Sequence, residues 1–494
     1  MTTTTTNTEN TQTGNSILVD VIIPVHNASK TIDQAVRSAM AQVIPQHLQE
    51  KLEPYSISVT VCCYDDMSPD NSWEILQVLQ KEFTNLSPSS KRSIPSKLLI
   101  ETSSEGIARG AGFARNRAVA LHTQSNDDPS LHFLCLLDSD DTMHPHRVAE
   151  QVGHMLSLKR ADRERTLLGS NFDRDPPDST WHYSQWANAL EDDRLLLERF
   201  REVTILQPTW FLCRKRFLDL GGYVEGLLPT TSAADLAEFF IQERQTHNRL
   251  VHPTHDTLET LLLAEDLRFF HDHIDSNGIV RLHRTTYPLV TYRHTGTSQS
   301  FRTSRKLLLQ LRVLALERSV LRSNPLWQED QGHFVIWGAG RDGKNFFKAL
   351  SDDLRCRVYC FVEVDEKKLE AGRYLNDDFG TDTPIVHFSL LIGDNEKRGQ
   401  IQKEWELKKK SDGWVGRINK AKPDNNDDEA ECDRPVKRQK SVKRDYFNLR
   451  GLDPDKLQRL PVVVCVAMHR TAGILERNVD LIGRKEGLNL WHFN

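Results

Sequence analysis

Asp138-Ser139-Asp140-Asp141 follows the apolar run LHFLCLL and sets two carboxylates at i and i+2. At a strand end both can reach one side of the loop and hold a hard divalent cation, with diphosphate oxygens completing its coordination. A cation there offsets the charge on a departing nucleoside diphosphate. The same cluster equally suits a helix cap, with Asp141-Thr142 ahead of Pro145 in that role. A second acidic pair, Asp65-Asp66, closes the run SISVTVCCY. A carboxylate at that place can accept the imino N–H of a uracil ring and so fix base identity. Ser68 and Asp70 already suffice to cap the helix that follows, which frees the earlier pair.

Two more clusters complete the set. Gly110-Ala111-Gly112-Phe113-Ala114-Arg115-Asn116 combines small residues, which let a backbone approach a ligand, with an arginine in the first turns of a helix. That arginine can pair with a phosphate or orient an acidic loop. Taken alone it fits a surface residue as well. Ala264-Glu265-Asp266-Leu267-Arg268 places a carboxylate beside an apolar helical run. Transfer of a sugar with inversion needs one base to take the acceptor hydroxyl's proton. By itself this pattern fits an N-terminal helix acid better.

The elements that must position these groups are legible as periodicity. Residues 19–25, VDVIIPV, form a continuous β-branched run, as a buried parallel strand does. Polar residues 27–29 stop it, and a helix is expected over about 31–42. Further strands are expected at 56–64, 97–101 and 131–137, with helices near 73–83 and 112–122 between them. This β-α-β-α-β-α-β order predicts a doubly wound, mostly parallel sheet. The acidic clusters then fall just past the carboxyl ends of strands, where open α/β sheets bind ligands. Helices are also expected near 145–159 and 307–321, and residues 227–262 read as a loop-rich insertion.

A chain of 494 residues exceeds one core. We expect a leader at 1–16, a first domain over 17–325 and a small Rossmann-like α/β domain over 332–494. In the second, HFVIWGAGRDGKNFFKAL reads as strand, glycine turn and helix. Residues 394–458, charged and rich in Lys, Asn and Asp, read as a mostly disordered interruption. LPVVVCVAM then resumes as a strand, with a helix near 471–482. A net charge of -5 argues against a wholly basic nucleic-acid binder. No stretch approaches a membrane span, the leader lacks a signal core, and the 8 cysteines lack metal-ligand spacing. These features predict a cytoplasmic protein, with a nuclear one open, and free thiols.

Together and in this order, VIIPVHNA, DD-x-S-x-D, G-x-x-x-A-R-N, D-S-D-D and E-D resemble the family 2 glycosyltransferases of GT-A fold. The resemblance implies an inverting enzyme that uses a nucleotide sugar with Mn²⁺ or Mg²⁺. It implies Val25 and His26 beside the base, Asp66 on uracil, Arg115 supporting the donor phosphates and Asp138 on the ribose or metal. It implies Asp140 as a metal ligand and Asp266 as the catalytic base. His294, in Tyr292-Arg293-His294, falls where some members place a basic loop over the diphosphate; a metal ligand and a surface histidine are both open. Segments 174–190, 207–214, 265–270, 335–343, 362–374 and 491–493 also resemble a narrow subfamily associated with galactosyl transfer from UDP-galactose to queuosine in tRNA. That resemblance implies a UDP-sugar donor, a tRNA acceptor and no membrane. The basic run 434–444 could touch phosphates, act as a nuclear signal, or be a solvated loop.

Two alternatives stand beside this reading. One is a UDP-N-acetylglucosamine-dependent β-1,3 transferase acting on a galactoside. The other is an NAD-binding oxidoreductase, because Gly338-x-Gly340-x-x-Gly343 follows a strand and Glu363 lies about 20 residues on, where an acid reaches ribose. The same glycines also serve a tight turn and close helix packing.

Overall fold

The apolar run near the head of the chain becomes the strand around which the first sheet is built. In the computed structural model this strand, β1, spans Asn15–Val25, and Ile17, Val19, Val21, Ile23 and Val25 are all buried in one cluster. The structure describes residues 15–84, 92–104, 106–225, 231–245, 249–251, 258–261, 263–294, 303–411, 446–466 and 473–493. Most of the predicted leader and the basic run 434–444 lie outside these residues. Two compact units divide the chain, Met1–Ala315 and Leu316–Asn494.

In the first unit β1 is followed by β2 (Tyr55–Asp65), β3 (Ser96–Thr102), β4 (His132–Leu136), β5 (Thr142–Met143), β6 (Thr166–Ser170), β7 (Phe172–Asp175), β8 (Phe211–Cys213), β9 (Ile279–His283) and β10 (Val290–Arg293). The main sheet runs β3-β2-β1-β4-β8-β6-β9. β3, β2, β1 and β4 are parallel, so Val25 and Asp65 end at the same edge, and β4 points the same way. Intervening helices at Ile32–Met40, Ser72–Thr84 and Ala111–Leu121 supply the crossovers. This is the expected α/β, mostly parallel architecture. The sheet is mixed, however, because β8 runs antiparallel to both β4 and β6. A small second sheet, β5-β10-β7, stands beside the end of β4.

One polar residue interrupts the apolar face of β1. Asp20 is fully buried and takes hydrogen bonds from His122 at 2.5 Å, His132 at 2.8 Å and Arg214 at 3.2 Å. Burial pushes its carboxyl up, but the two imidazole hydrogen bonds outweigh that and hold it below its ordinary range. Ligand atoms of Asp20, His122 and His132 lie close enough together for a metal. Yet Arg214 already occupies one carboxylate oxygen and Lys97 Nζ lies 3.3 Å from His122 Nε2, so cations of the chain itself fill that role. Removing one member of such a buried network strands the others. Asp20→Ala is expected to cost about 3 kcal/mol in urea unfolding; a loss below about 1 kcal/mol contradicts this account.

Residues 233–245 form a helix where a loop was expected, and Phe240 packs with Val224, Val251 and Leu261 in a small cluster of its own. No helix among the described residues is long and apolar enough to cross a membrane. The described cysteines are free, all buried except Cys356.

The second unit holds β11 (Phe334–Trp337), β12 (Val358–Glu363), β13 (Arg373–Asn376), β14 (Thr381–His387), β15 (Val462–Val464) and β16 (Leu490–His492). Its sheet is ordered β13-β14-β12-β11-β15-β16, parallel except for the β13 edge. The supposed interruption is partly built: Asn395–Ser411 is a helix. Ile401 packs on the core of this unit, and Trp405, one turn on, donates its indole N–H to the Val364 carbonyl at 3.3 Å. Two apolar residues at i and i+4 sufficed to dock an otherwise charged helix.

Candidate active site

Beyond β4 the chain continues the ladder for one residue, with Leu137 N–H on Ile22 O, and then turns tightly, with Asp141 N–H on Asp138 O at 3.1 Å. The turn gathers three carboxylates, Asp138, Asp140 and Asp141, whose oxygens lie within 4.8 Å of one another. Of the two uses open to Asp141, helix cap or member of the acidic cluster, it takes the second, and it is the most buried of the three. One of its oxygens accepts the Arg293 N–H at 2.9 Å, and the other, Oδ2, is buried without a hydrogen-bond partner. Burial pushes the Asp140 carboxyl up to about 6, with Asp138 adding to the effect. Burial and both neighbours drive Asp141 well above its ordinary value. Three such groups cannot all ionise cheaply without a countercharge. The orphaned Asp141 oxygen and the hard oxygen donors fit a divalent cation such as Mn²⁺ or Mg²⁺.

Arg115 comes from the 111–121 helix and is buried, with 4% of its side chain exposed. Its Nη2 donates to Asp138 Oδ1 at 2.6 Å and its Nη1 to Glu265 Oε1 at 2.5 Å. Both ends are thus committed to carboxylates, and the two pairs raise its own proton affinity further. Glu265 opens the Glu265–Asp275 helix, entered through Ala264 at φ 55°. Asp266 is the next residue and is half-buried; its Oδ1 accepts the Leu267 N–H at 2.7 Å. Burial first, and then the Glu265 carboxylate, push the Asp266 carboxyl up to about 7. A group titrating near neutrality is suited to general-base work. Sequence reasoning assigned no role to Glu265. The adjacency of E and D was its only signal.

On the other flank, Val25 and Asp66 join through a hydrogen bond from Asp66 N to Val25 O at 2.8 Å. The Val25 side chain is fully buried, so only its backbone borders the site. His26 is exposed, and its Nδ1–H donates to the Asp66 carbonyl at 2.7 Å. The Asp66 carboxylate takes the Arg109 N–H at 2.9 Å and the Gly110 N–H at 2.7 Å, so it anchors the loop that leads into the Arg115 helix. Its neighbour Asp65 accepts the Thr102 hydroxyl at 2.9 Å through Oδ2 and keeps Oδ1 buried without a partner. His294 follows β10, is half-buried and donates its backbone N–H to Asp175 O at 2.8 Å; it stands outside the three-carboxylate group.

The structure therefore gathers Asp138, Asp140 and Asp141 in one turn and joins Asp138 through Arg115 to Glu265, which Asp266 follows in the chain. Val25, His26 and Asp66 line the ends of β1 and β2. The second unit's glycines have a different use. A Cβ on Gly343 would sit 1.8 Å from Gly338 O, so that glycine is required for strand and helix to meet. Glu363 is turned onto its own chain, accepting Ala339 N–H at 3.0 Å, Val364 N–H at 2.9 Å and Lys368 Nζ at 2.9 Å. The packing role of these residues is thus filled by the protein itself.

With this geometry in hand, residues 20–221 match the family described as Glycosyl transferase family 2. That segment contains the acidic turn and Arg115, and Asp266 lies beyond it. Among solved structures, the chain is similar to S. aureus TarS, at 16% identity, covering 62% of this chain and 40% of that one, with a TM-score of 0.35. It is similar to S. aureus TarS 1-349 in complex with UDP-GlcNAc, at 14% identity over 82% of this chain and 94% of that one, with a TM-score of 0.39. Mannosyltransferase PcManGT from Pyrobaculum calidifontis, in complex with GDP-Man and Mn2+, is 15% identical over 61% of this chain and 64% of that one, with a TM-score of 0.33. The chain thus spans less than half the length of the full TarS chain.

Proposed function

We propose that this chain, a glycosyltransferase through its family 2 domain, transfers a hexose with inversion from a UDP-sugar, and that the sugar is galactose and the acceptor queuosine in tRNA. The observation that carries the catalytic half is one guanidinium. Arg115 bonds both Asp138 of the acidic turn and Glu265 beside Asp266, so donor-side and acceptor-side acids belong to one site.

In this reading Asp66 and the ends of β1 and β2 receive the uracil. Asp138, Asp140 and Asp141 would hold a divalent cation, and His294, outside that group, is not needed as a ligand. Such a cation, when bound, neutralises charge on the nucleoside diphosphate. Asp266 accepts the proton of the attacking hydroxyl at its carboxylate as the acceptor oxygen bonds the anomeric carbon and the diphosphate leaves. Arg293 holds the acidic turn in shape, through its N–H to Asp141 and its guanidinium to the Asp140 carbonyl.

The acceptor half is supported by the motifs in 174–190. Trp181 in that segment is 50% exposed, and the His182 ring lies 4.9 Å from it. The two rings meet edge to face at 70°, so the exposed indole is the flat surface that suits a splayed nucleobase. The glycine motif of the second unit supports packing rather than a dinucleotide, since Glu363 is already saturated.

The test is direct. Purified protein is incubated with tRNA and, separately, UDP-galactose, UDP-glucose and UDP-N-acetylglucosamine, and tRNA nucleosides are then surveyed by mass spectrometry. Appearance of one hexose on queuosine with UDP-galactose alone is expected. Transfer only from UDP-N-acetylglucosamine, or none to any nucleoside, overturns the donor or acceptor assignment.

A further inference from the structure

Residues 221–225 form a strap that lies across the 111–121 helix. Asn116 of that helix pairs its amide with the Tyr223 peptide. Its Oδ1 accepts the Tyr223 N–H at 2.9 Å, and its Nδ2 donates to the Tyr223 carbonyl at 2.9 Å. The approach is close: a Cβ on Gly222, at φ 67°, would stand 2.6 Å from Asn116 Oδ1, and one on Gly112 would stand 3.3 Å from Tyr223 Cβ. From the other side Arg249, with 4% of its side chain exposed, donates to the carbonyls of Gly222 at 2.6 Å and Gly221 at 2.7 Å. Val224 packs with Phe240, Val251 and Leu261. The strap is thus fixed on two sides, and its last residue, Glu225, is a charged group on a fixed support.

The Glu225 carboxylate meets the loop that the Asp66 carboxylate holds. Its Oε1 accepts from Asn116 Nδ2 at 2.9 Å; its Oε2 accepts from Arg117 Nη2 at 3.0 Å and pairs with Arg109 Nη2 at 3.8 Å. Both guanidinium groups lie against the Phe113 ring, Arg109 at 4.2 Å and Arg117 at 4.6 Å from its centroid. Arg109 is therefore held twice, by its backbone N–H on Asp66 at 2.9 Å and by its side chain on Glu225 and Phe113. We infer that Glu225 is a positioning residue for the donor's base: it fixes the Arg109 side chain and so the setting of the 109–110 loop against Asp66. The inference rests on the reading of the Asp66 end of the sheet as the uracil site. Glu225 is 27% exposed and Arg109 15%, and ion pairs open to water contribute little to stability. A small displacement of a group that positions substrate is felt far more strongly. Loss of the Glu225 charge should therefore show in donor affinity, and not in folding or in the chemical step.

Calorimetric titration of uridine and of UDP with Mn²⁺, beside steady-state turnover of UDP-galactose with tRNA, tests this. Glu225→Gln keeps an oxygen for Asn116 and removes the charge that pairs with both arginines. It is expected to weaken uridine and UDP by the same factor, about tenfold, and to raise KM for UDP-galactose to match, with kcat and the urea midpoint little changed. A purely structural role lowers the midpoint and does not divide KM from kcat. Arg109→Met cuts the same pair from its other end and is expected to reproduce the loss; if Glu225→Gln does not fold, Arg109→Met decides by the same readings. The Glu225→Gln/Arg109→Met double variant is expected to lose no more than either single one, because the two act through one contact. Glu225→Asp, which keeps the charge, is expected to recover most of the parent affinity. Parent-like binding of uridine and UDP in either single variant, a loss confined to kcat, or losses that add in the double variant overturns the inference. A parent protein that binds neither ligand defeats the uracil-site reading itself, whereas a parent that binds both beside an unchanged Glu225→Gln defeats only the positioning role.

Discussion

Asp266→Asn is expected to lower kcat by about 10²–10⁴-fold, the usual contribution of a positioned general base, with KM for the UDP-sugar little changed. The amide preserves shape and keeps an oxygen for the Leu267 N–H, so the helix start survives. It cannot accept a proton. In the parent protein the carboxyl is raised to about 7. The base is the ionised form, so activity is expected to rise with pH through about 7 and to fall tenfold per unit below it. Asp266→Asn removes that limb with the activity. A variant that keeps more than a tenth of the parent rate, with the limb intact, shows that another group takes the proton.

Asp140→Asn has the second large effect, and it has two opposed parts. Loss of a ligand from the three-carboxylate turn is expected to cost about 4 kcal/mol of transition-state charge stabilisation, about 10³-fold in rate. Chelation of divalent cations from the parent protein should match it. Stability moves the other way. The Asp140 carboxyl is raised to about 6 in the folded protein, so it favours folding below the unfolded value near 4 and loses that contribution as pH rises through about 6. At pH 7 and without metal it is therefore a destabilising charge. Metal-free Asp140→Asn is expected to melt higher than the metal-free parent. Added Mn²⁺ should raise the parent's Tm and leave the variant's little changed. Equal melting of the two, with equal response to Mn²⁺, contradicts a cation site at this turn.

How far the sequence alone reaches follows from what kind of signal each feature leaves. The strand VDVIIPV announces itself because both faces are buried and every position but Asp20 is apolar or proline from 19 to 25. Carboxylates past strand ends are legible for the same reason: the strand's end marks where the sheet's mouth lies. Orientation of β8 is not, because FLC is short and apolar whichever way it runs. The sequence left Asp141 open between a cap and the acidic cluster, because the group that holds its carboxylate, the Arg293 N–H, lies 152 residues on. Arg115 was placed on the right helix. Its second partner, Glu265, lies 150 residues on, and nothing local in either segment records that pairing. The helix at 395–411 was hidden by charge, because two docking residues among 17 leave little periodic signal. Glu363 misled in the opposite sense: its spacing from the glycines suits ribose, but its oxygens are spent on backbone amides and Lys368.

The central claim is that the acidic turn and the Glu265-Asp266 helix start divide the labour of one site, the first binding the donor with a cation and the second moving a proton. Calorimetric titration of UDP in the presence and absence of Mn²⁺, on the parent, Asp140→Asn and Asp266→Asn, measures that division. The account predicts that Asp266→Asn binds UDP as the parent does, with the same gain from Mn²⁺, and that Asp140→Asn loses the gain. If Asp140→Asn keeps the full Mn²⁺ effect, or Asp266→Asn loses UDP as severely as it loses turnover, the two groups do not serve one donor site in this way.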